Sequence, residues 1–322
     1  MRKPRIILLT MGGTISIGAE GVAKLGASAL LDSIPQVQDI AEVEGRDVLA
    51  KPSSSLSLDD FSVLVAAVEK AAAEADGVVV THGTDTLEET AFALSLLLNV
   101  PKTVVITGAM RKAGFPGSDG PANILTACRV AAHPSSRGKG VLIVMNDQIH
   151  AAEFTQKSHS FLPSAFTSRG PLGWIAEDRV RFFLQPAWKA PRLQLGKGRP
   201  AVPLVETGIF FSKAIIATFN PPSTPGLVLN MTGVGHVAED VVDDLQKLAA
   251  ERPVVFASRA GEGETFYDSY AFIGGETDLM RRGLIPAGFL NGRQARVALI
   301  LLLSAAASIE DVRAYFRNFS EG

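Results

Sequence analysis

The sequence predicts an α/β fold with two domains: a larger N-terminal domain with a doubly wound, mostly parallel sheet and a smaller C-terminal α/β domain. Short apolar runs rich in valine and isoleucine alternate with longer helical patterns, as in successive β–α units. The length of 322 residues is enough for two ordinary domains. A stretch rich in proline and glycine separates the two halves. We therefore predict domains at 1–185 and 204–322, joined by a linker at 186–203.

The N-terminal half supplies most of the predicted sheet. Most of its strand candidates are apolar at successive positions, which suits strands that are covered on both faces. Residues 174–183 alternate instead, as an antiparallel strand does. The strands are predicted at 6–9, 37–43, 77–80, 103–107 and 140–146, and the helices at 27–33, 59–75, 87–98 and 121–132. The small, glycine-bearing segment 17–25 is predicted to be a loop that acts as a lid beside a site.

Two helix starts carry the pattern of a capping box, in which a hydroxyl and an acid three residues later bond each other's backbone. Ser57 with Asp60 predicts the start of the helix at 59–75. Thr86 with Glu89 predicts the start of the helix at 87–98.

The C-terminal half repeats the alternating style of the first half. Its strands are predicted at 215–219, 226–231 and 254–257, and its helices at 238–250, 276–282, 292–304 and 309–318. No repeat at a fixed period and no low-complexity segment interrupts it.

Composition excludes several classes of protein. The net charge is −2, without a basic block, which argues against a nucleic-acid partner. The single cysteine, Cys128, falls in a helical pattern and is expected to be a core thiol, and the sequence lacks the Cys/His spacing of a zinc site. The apolar run at 297–303 is too short to span a membrane, and the run at 6–9 is too short for a signal peptide. We therefore expect a cytoplasmic protein.

Threonines at predicted strand ends are the residues most suggestive of chemistry. Thr14 follows two glycines after the first strand, although residues 10–16 alone favour an ordinary tight turn. Thr84 and Asp85 follow the strand at 77–80, at the mouth of a helix, where ligands bind in open α/β sheets. A threonine becomes a nucleophile only when a base or relay takes its proton, and a lysine could be that base. His82 is a further candidate base, but a role in orienting the loop is favoured.

Several motifs resemble those of one family. Thr-His-Gly-Thr-Asp-Thr at 81–86 is similar to the second signature of the bacterial-type L-asparaginases, and Gly-Gly-Thr-Ile-Ser at 12–16 resembles the first. Shorter matches follow in the family's order at 108–111, 118–121, 144–147 and 170–173. The resemblance covers essentially the whole chain.

The resemblance implies an amidohydrolase that converts L-asparagine to L-aspartate and ammonia through a threonine acyl-enzyme, with a minor activity on glutamine. It implies neither a metal nor an organic cofactor. Thr14 matches the nucleophile, and Thr84, Asp85 and Lys157 match a second catalytic group. Lys157 is placed by counting from 146–147 without a gap.

The resemblance also implies how the substrate is held. Ser54 matches the serine that binds the α-carboxylate, and the Ser54–Ser55 pair is more similar to cytosolic members of the family. Asp85 matches the group that takes the α-ammonium, and the Ala109 carbonyl would meet the amide nitrogen. The remaining expected contacts are the backbone amides of two glycines, Gly13 and Gly83.

Some positions depart from the family pattern and leave other functions open. Met11 stands where a threonine is usual, and the segment 17–25 has no tyrosine. One alternative is the ammonia-supplying subunit of a tRNA-dependent amidotransferase, which the start of this chain at its first strand disfavours. Another is a non-catalytic module that binds amino acids. The expected assembly is a homodimer or homotetramer without membrane or nucleic-acid partners.

Overall fold

The computed structural model describes residues 2–16, 25–219 and 223–320. The chain divides into two compact units, Met1–Lys189 and Ala190–Gly322. The predicted linker at 186–203 spans this division, and its exact bounds stay a prediction.

The first unit contains ten strands and five α-helices within the described residues. The strands are β1 (Arg5–Thr10), β2 (Glu42–Asp47), β3 (Gly77–Thr81), β4 (Thr103–Thr107), β5 (Val141–Met145), β6 (Gln148–Ala151), β7 (Thr155–Lys157), β8 (Phe166–Ser168), β9 (Gly173–Ala176) and β10 (Arg179–Phe182). The helices are α1 (Ala27–Asp32), α2 (Val37–Ile40), α3 (Leu58–Glu74), α4 (Leu87–Leu97) and α5 (Gly120–Ala132).

Eight of these strands form one sheet in the order β10-β9-β6-β5-β4-β3-β1-β2. The strands β2, β1, β3, β4 and β5 are parallel to one another, whereas the pairings β5–β6, β6–β9 and β9–β10 are antiparallel. The predicted fold class, α/β with a mostly parallel sheet, is therefore confirmed. Because the chain enters at β1 and proceeds to both sides, the strand order reverses between β1 and β3. A crevice forms at the carboxyl ends of strands where such a reversal occurs.

The sheet is buried because its strands carry apolar side chains on both faces. In β3, Val78 and Val80 face one hydrophobic cluster, and Val79 faces the cluster on the opposite side of the sheet. All three side chains are fully buried. The free thiol of Cys128 lies buried in the second cluster, as predicted. Covering both faces fixes the strand ends, which gives the loops beyond them rigid bases.

The segment at 37–43 was expected to be a single strand, and the structure corrects this. Residues Val37–Ile40 form α2, and the strand β2 begins only at Glu42. Val37 and Ala41 lie one helical turn apart, and both are fully buried. This i, i+4 spacing suits a helix against the core and overrides the β-branched composition.

The capping box at Ser57 and Asp60 is confirmed at the start of α3, where each side chain bonds the backbone of the other residue. The predicted box at Thr86 and Glu89 is wrong, because no side-chain cap forms there within the described chain. The Thr86 hydroxyl instead donates to the Ser53 carbonyl at 3.0 Å. A contact between distant loops has replaced a local one.

The second unit is a smaller α/β domain with an all-parallel sheet in the order β11-β12-β13-β14. Its strands are β11 (Leu204–Glu206), β12 (Leu227–Met231), β13 (Val254–Ser258) and β14 (Ile285–Pro286). Its helices are α6 (Lys213–Ala217), α7 (Val242–Glu251), α8 (Glu276–Arg281), α9 (Gly292–Ser304) and α10 (Ile309–Arg317).

The strand expected at 215–219 is wrong, because the helix α6 occupies most of this segment. The Ser212 hydroxyl accepts the N–H of Ala214 and caps the helix. Ile216 is buried while Ile215 is exposed, so only one side of the turn faces the core. No described helix of either unit is long and apolar enough to cross a membrane.

Candidate active site

A cavity of about 230 Å³ opens at the carboxyl ends of β1 and β3. Three loops form its walls: the loop after β1, the loop that leads from β2 into α3, and the loop between β3 and α4. The lining residues are Gly12, Gly13, Thr14, Ser16, Ala50, Lys51, Pro52, Ser53, Gly83, Thr84 and Asp85. The volume suits a small metabolite, since pockets for larger organic ligands span roughly 300 Å³ or more.

The glycines before Thr14 allow two of these loops to touch. Gly12 and Gly13 have φ angles of 92° and 88°, a region that side chains other than hydrogen disfavour. A Cβ atom at Gly13 would lie 2.3 Å from the Cα atom of Gly83. Thr14 then begins a 3₁₀ turn, Thr14–Ser16, at the cavity wall. The two glycines therefore bring the loops of Thr14 and Thr84 together.

The loop between β2 and α3 contributes Ser53 to the cavity, one position before the serine that the sequence suggested. Ser53 is buried and lines the cavity, and its hydroxyl has no hydrogen-bond partner among the described residues. Ser54 and Ser55 are exposed and do not line the cavity. All three form one 3₁₀ turn, in which only the first side chain points inward. Of the three serines, the structure therefore places only Ser53 at the cavity, and the expected role of Ser54 in binding a carboxylate stays a prediction.

Lys157 joins Thr84 and Asp85 across a long stretch of sequence. Its Nζ atom lies 3.1 Å from Thr84 Oγ1 and 3.1 Å from Asp85 Oδ1. The Lys157 side chain is 14% exposed and that of Asp85 is 72% exposed. The structure therefore brings these three residues together with Asp85 on the solvent side. Such a lysine can exchange a proton with the threonine hydroxyl that it contacts.

His82 orients the backbone beside Thr84. Its ring is fully buried, with Nδ1 at 2.8 Å from the Gly83 carbonyl and Nε2 at 3.1 Å from Thr90 Oγ1. A carbonyl can only accept, so Nδ1 carries the proton and Nε2 accepts from Thr90. Burial lowers the pKa of His82 to about 4, which keeps the ring neutral near pH 7. This arrangement fits the favoured loop-orienting role.

Asp119 stabilises the loop that follows β4. Its carboxylate accepts the N–H groups of Met110 at 3.0 Å and Arg111 at 2.9 Å, and the amide of Asn123 at 3.1 Å. This loop carries Ala109, which is buried but does not line the cavity. The expected contact of the Ala109 carbonyl with a substrate stays a prediction.

The predicted lid at 17–25 lies outside the described residues apart from Leu25. The Leu25 N–H donates to the carbonyl of Ser16 at 2.6 Å. Ser16 is a second cavity residue that the sequence did not single out, and its buried hydroxyl has no partner in the described ranges. Ser16 ends the motif at 12–16 without a role of its own in it, and no spacing pattern marks Ser53, since serines are common in turns. Within the same ranges, no group of three or more His, Cys, Asp and Glu residues could hold a metal ion.

Comparisons with known proteins agree with the motif order. A family model described as "Asparaginase, N-terminal" matches residues 5–188, and the "Glutaminase/Asparaginase C-terminal domain" matches residues 202–316. A probable L-asparaginase of Deinococcus radiodurans is 32% identical, covering 99% of this chain and 98% of the relative. A probable periplasmic L-asparaginase of Haemophilus influenzae is 31% identical, covering 98% and 93%. A glutaminase-asparaginase of Acinetobacter glutaminasificans is 29% identical, covering 98% and 100%.

Proposed function

The chain belongs to the bacterial-type L-asparaginase family, and on this basis we propose that it hydrolyses L-asparagine to L-aspartate and ammonia. The observation that carries the proposal is the contact of Lys157 with Thr84 and Asp85 beside a cavity that Thr14 also lines. A small ligand in the cavity would therefore meet the hydroxyls of Thr14 and Thr84, with the amine of Lys157 beside Thr84 to carry a proton.

The cavity offers distinct groups for each end of an amino acid. We assign the α-carboxylate to the Ser53 hydroxyl, whose position in the wall and lack of a partner in the described chain support the assignment. We assign the α-ammonium to the Asp85 carboxylate, which is the acidic group among the cavity residues. A hydrogen bond to a charged group contributes about 1.5 to 3 kcal/mol. These contacts would orient the side-chain amide toward the two threonines.

In the first step, the Thr14 hydroxyl oxygen bonds to the amide carbon of the substrate. The threonine proton passes to the leaving nitrogen, the carbon–nitrogen bond breaks and ammonia departs. The product is an ester between Thr14 and the aspartyl group. The amides of Gly13 and Gly83 would stabilise the oxyanion, and one such donor is typically worth roughly 3 kcal/mol.

In the second step, a water molecule attacks the ester carbon. Its proton moves through the Thr84 hydroxyl to Lys157, which lies 3.1 Å away. The ester bond then breaks, the departing Thr14 oxygen takes up the proton that Lys157 held, and aspartate leaves. Holding the water against Thr84 supplies the orientation that a free water lacks.

An assay of ammonia release by the purified protein tests this function. Asparagine should be turned over, with a smaller rate on glutamine. Turnover by the isolated chain separates the hydrolase from the amidotransferase subunit, which supplies its ammonia to a partner. Binding of asparagine in a calorimeter without ammonia release would instead identify a non-catalytic binding module. The relatives reported above carry asparaginase names, which supports the hydrolase.

Four further properties stay proposals. We propose a homodimer or homotetramer, which light scattering coupled to size-exclusion chromatography tests. We propose a cytoplasmic location and the cytosolic branch of the family, although one relative is named as periplasmic. Cell fractionation tests the location. The expectation of no organic cofactor and no metal is tested by activity after exhaustive dialysis against a chelator.

A further inference from the structure

Glu88 is a buried carboxylate that contacts the backbone of Lys157. It lies in the first turn of α4, is 5% exposed, and accepts the N–H of Lys157. The steps above use only the side chain of Lys157 and leave this contact without a role. We propose that Glu88 is a positioning residue that fixes Lys157 against Thr84, an inference that rests on the proposed function of the site.

The strand that carries Lys157 depends on contacts outside its own sheet. The strand β7 is three residues long and pairs only with the equally short β8 among the described strands. Lys157 is the last residue of β7 and lies opposite Phe166. An isolated two-stranded sheet is marginally stable in water. The position of the lysine therefore depends on what holds this hairpin, β7–β8, to the rest of the unit.

Lys157 is held at two places, by Glu88 and by Thr84. Lys157 contacts Thr84 through its Nζ atom at 3.1 Å and Glu88 through its backbone N–H. One contact fixes the tip of the lysine side chain, and the other fixes the backbone from which that side chain departs. Thr84 lies in the loop just before α4, and Glu88 is the second residue of that helix, so both contacts are made to one short stretch of the chain.

The place of Glu88 in the helix explains why a carboxylate suits this role. The N-terminus of a helix carries partial positive charge, which stabilises an acid in the first turn. A hydrogen bond from a backbone amide to an ionised carboxylate is also stronger than one between neutral groups. Burial keeps water from competing for the bond. The contact should therefore persist when the hairpin fluctuates.

The other end of the hairpin is held separately. The His150 ring nitrogen Nδ1 lies 2.7 Å from the Ser168 hydroxyl in β8. Thr155, at the start of β7, donates its hydroxyl to the carbonyl of Ala151 at 2.6 Å. These bonds fix the end of the hairpin that is remote from the lysine. Removing the Glu88 contact should thus loosen Lys157 without detaching the hairpin.

The test compares Glu88→Leu, which removes the acceptor, with Glu88→Gln, which retains an acceptor oxygen of similar reach. Glu89→Gln is the matched control, because it removes the neighbouring charge from the same helix turn. For asparagine hydrolysis, Glu88→Leu should lower kcat at least about tenfold and leave KM within about twofold, since misplacing a catalytic group slows chemistry more than binding. Glu88→Gln should restore kcat to within about threefold of wild type, because the acceptor geometry is retained. Glu89→Gln should match wild type.

Hydrogen exchange of the peptide covering residues 155–168 gives a readout that does not depend on turnover. Exchange should be faster in Glu88→Leu than in wild type and normal in Glu88→Gln. If Glu88→Leu does not fold, Glu88→Ser takes its place, because its side chain is too short to reach the amide. Wild-type kcat and exchange in the folded Leu or Ser variant overturn the positioning role, as does a Gln variant as slow as the Leu variant. If wild type releases no ammonia, the proposed function fails, and the exchange measurement alone decides the role of Glu88.

Discussion

The Nζ atom of Lys157 lies 3.1 Å from the hydroxyl oxygen of Thr84, although 73 positions separate the two residues in the chain. Thr84 follows a central strand of the large sheet, and Lys157 ends a strand of a separate hairpin. The contact therefore exists only in the folded unit. It defines the proton path of the proposed reaction and leads to the first prediction.

Replacing Lys157 with methionine should lower kcat for asparagine hydrolysis by roughly a hundredfold or more, because a positioned acid–base group contributes about that factor. Methionine keeps most of the length of the side chain and removes the amine that accepts the proton. The measurement is steady-state ammonia release. The exposed Lys247 of the second unit supplies the control, and Lys247→Met should retain full activity. A Lys157→Met variant with wild-type kcat would remove Lys157 from the mechanism.

Alanine variants of the two cavity threonines, Thr14 and Thr84, should lose activity at different steps of the reaction. Thr14→Ala lacks the attacking oxygen and should form no covalent adduct with the substrate. Thr84→Ala should accumulate the adduct, because water attack is slowed more than acylation. Mass spectrometry of acid-quenched protein distinguishes the two, and the exposed Thr218→Ala provides the reference. Adduct formation by Thr14→Ala would assign the nucleophile to another residue.

Ser53 and Ser54 form a matched pair that tests which serine binds substrate. Ser53→Ala should raise KM for asparagine about tenfold or more, the effect of losing one hydrogen bond to a carboxylate. Ser54→Ala should leave KM unchanged, because its side chain is exposed and outside the cavity wall. The reverse outcome would restore the assignment that the sequence suggested.

Alanine substitutions at Gly13 and Gly138 distinguish the cost of backbone strain from the cost of a steric clash. Both have positive φ angles, 88° and 76°, but a Cβ atom at Gly138 would meet nothing within 4 Å. Gly138→Ala should therefore lower the free energy of unfolding by only about 1 to 2 kcal/mol, with activity retained. Gly13→Ala adds a clash with Gly83 and should lose activity and more stability. Urea unfolding with ammonia release on each variant checks this. Full activity in Gly13→Ala would show that the two loops tolerate separation.

Two buried histidines should make the fold sensitive to mild acid. Burial lowers the pKa of His82 to about 4 and that of His150 to about 4, below their unfolded value. Unfolding then takes up protons between about pH 6.5 and pH 4, so the stability present above this window is lost as the pH falls through it. The loss approaches about 1.4 kcal/mol per pH unit for each histidine.

The variant His150→Asn isolates one of these contributions. Asparagine can keep the hydrogen bond to Ser168 and does not titrate. The free energy of unfolding of this variant should fall less steeply between pH 6.5 and pH 4 than that of wild type. The measurement is urea unfolding at a series of pH values. Identical slopes would mean that His150 is not held neutral in the folded state.

Sequence patterns predicted the elements where local and tertiary preferences agree. The apolar run at 77–80 and the cap at Ser57 fall into this class. Sequence patterns were misleading where packing decides. The segment at 37–43 contains β-branched residues, but the buried pair Val37 and Ala41 has the spacing of a helical turn. The capping box predicted at Thr86 is wrong for a similar reason, because the Thr86 hydroxyl donates to the carbonyl of Ser53, 33 positions away.

In the candidate site, too, sequence patterns predicted some residues but not those whose position depends on tertiary structure. The motif at 81–86 identified Thr84 and Asp85, and counting from a neighbouring motif identified Lys157. The choice among three successive serines depends on which side chain of a 3₁₀ turn points inward, and spacing does not encode that direction. Glu88 has no signal of its own, since an acid in the first turn of a helix is common. Its contact with Lys157 becomes visible only in three dimensions.

The central place of β1 has a consequence for synthesis on the ribosome. This strand leaves the ribosome well before one of its two neighbours, β3, which ends only at Thr81. Until then β1 presents an unpaired apolar edge, of the kind that promotes aggregation of nascent chains. The loop of Thr14 gains its contact with Gly83 at that same late moment. A chain that stalls before residue 83 would thus be both inactive and prone to aggregate.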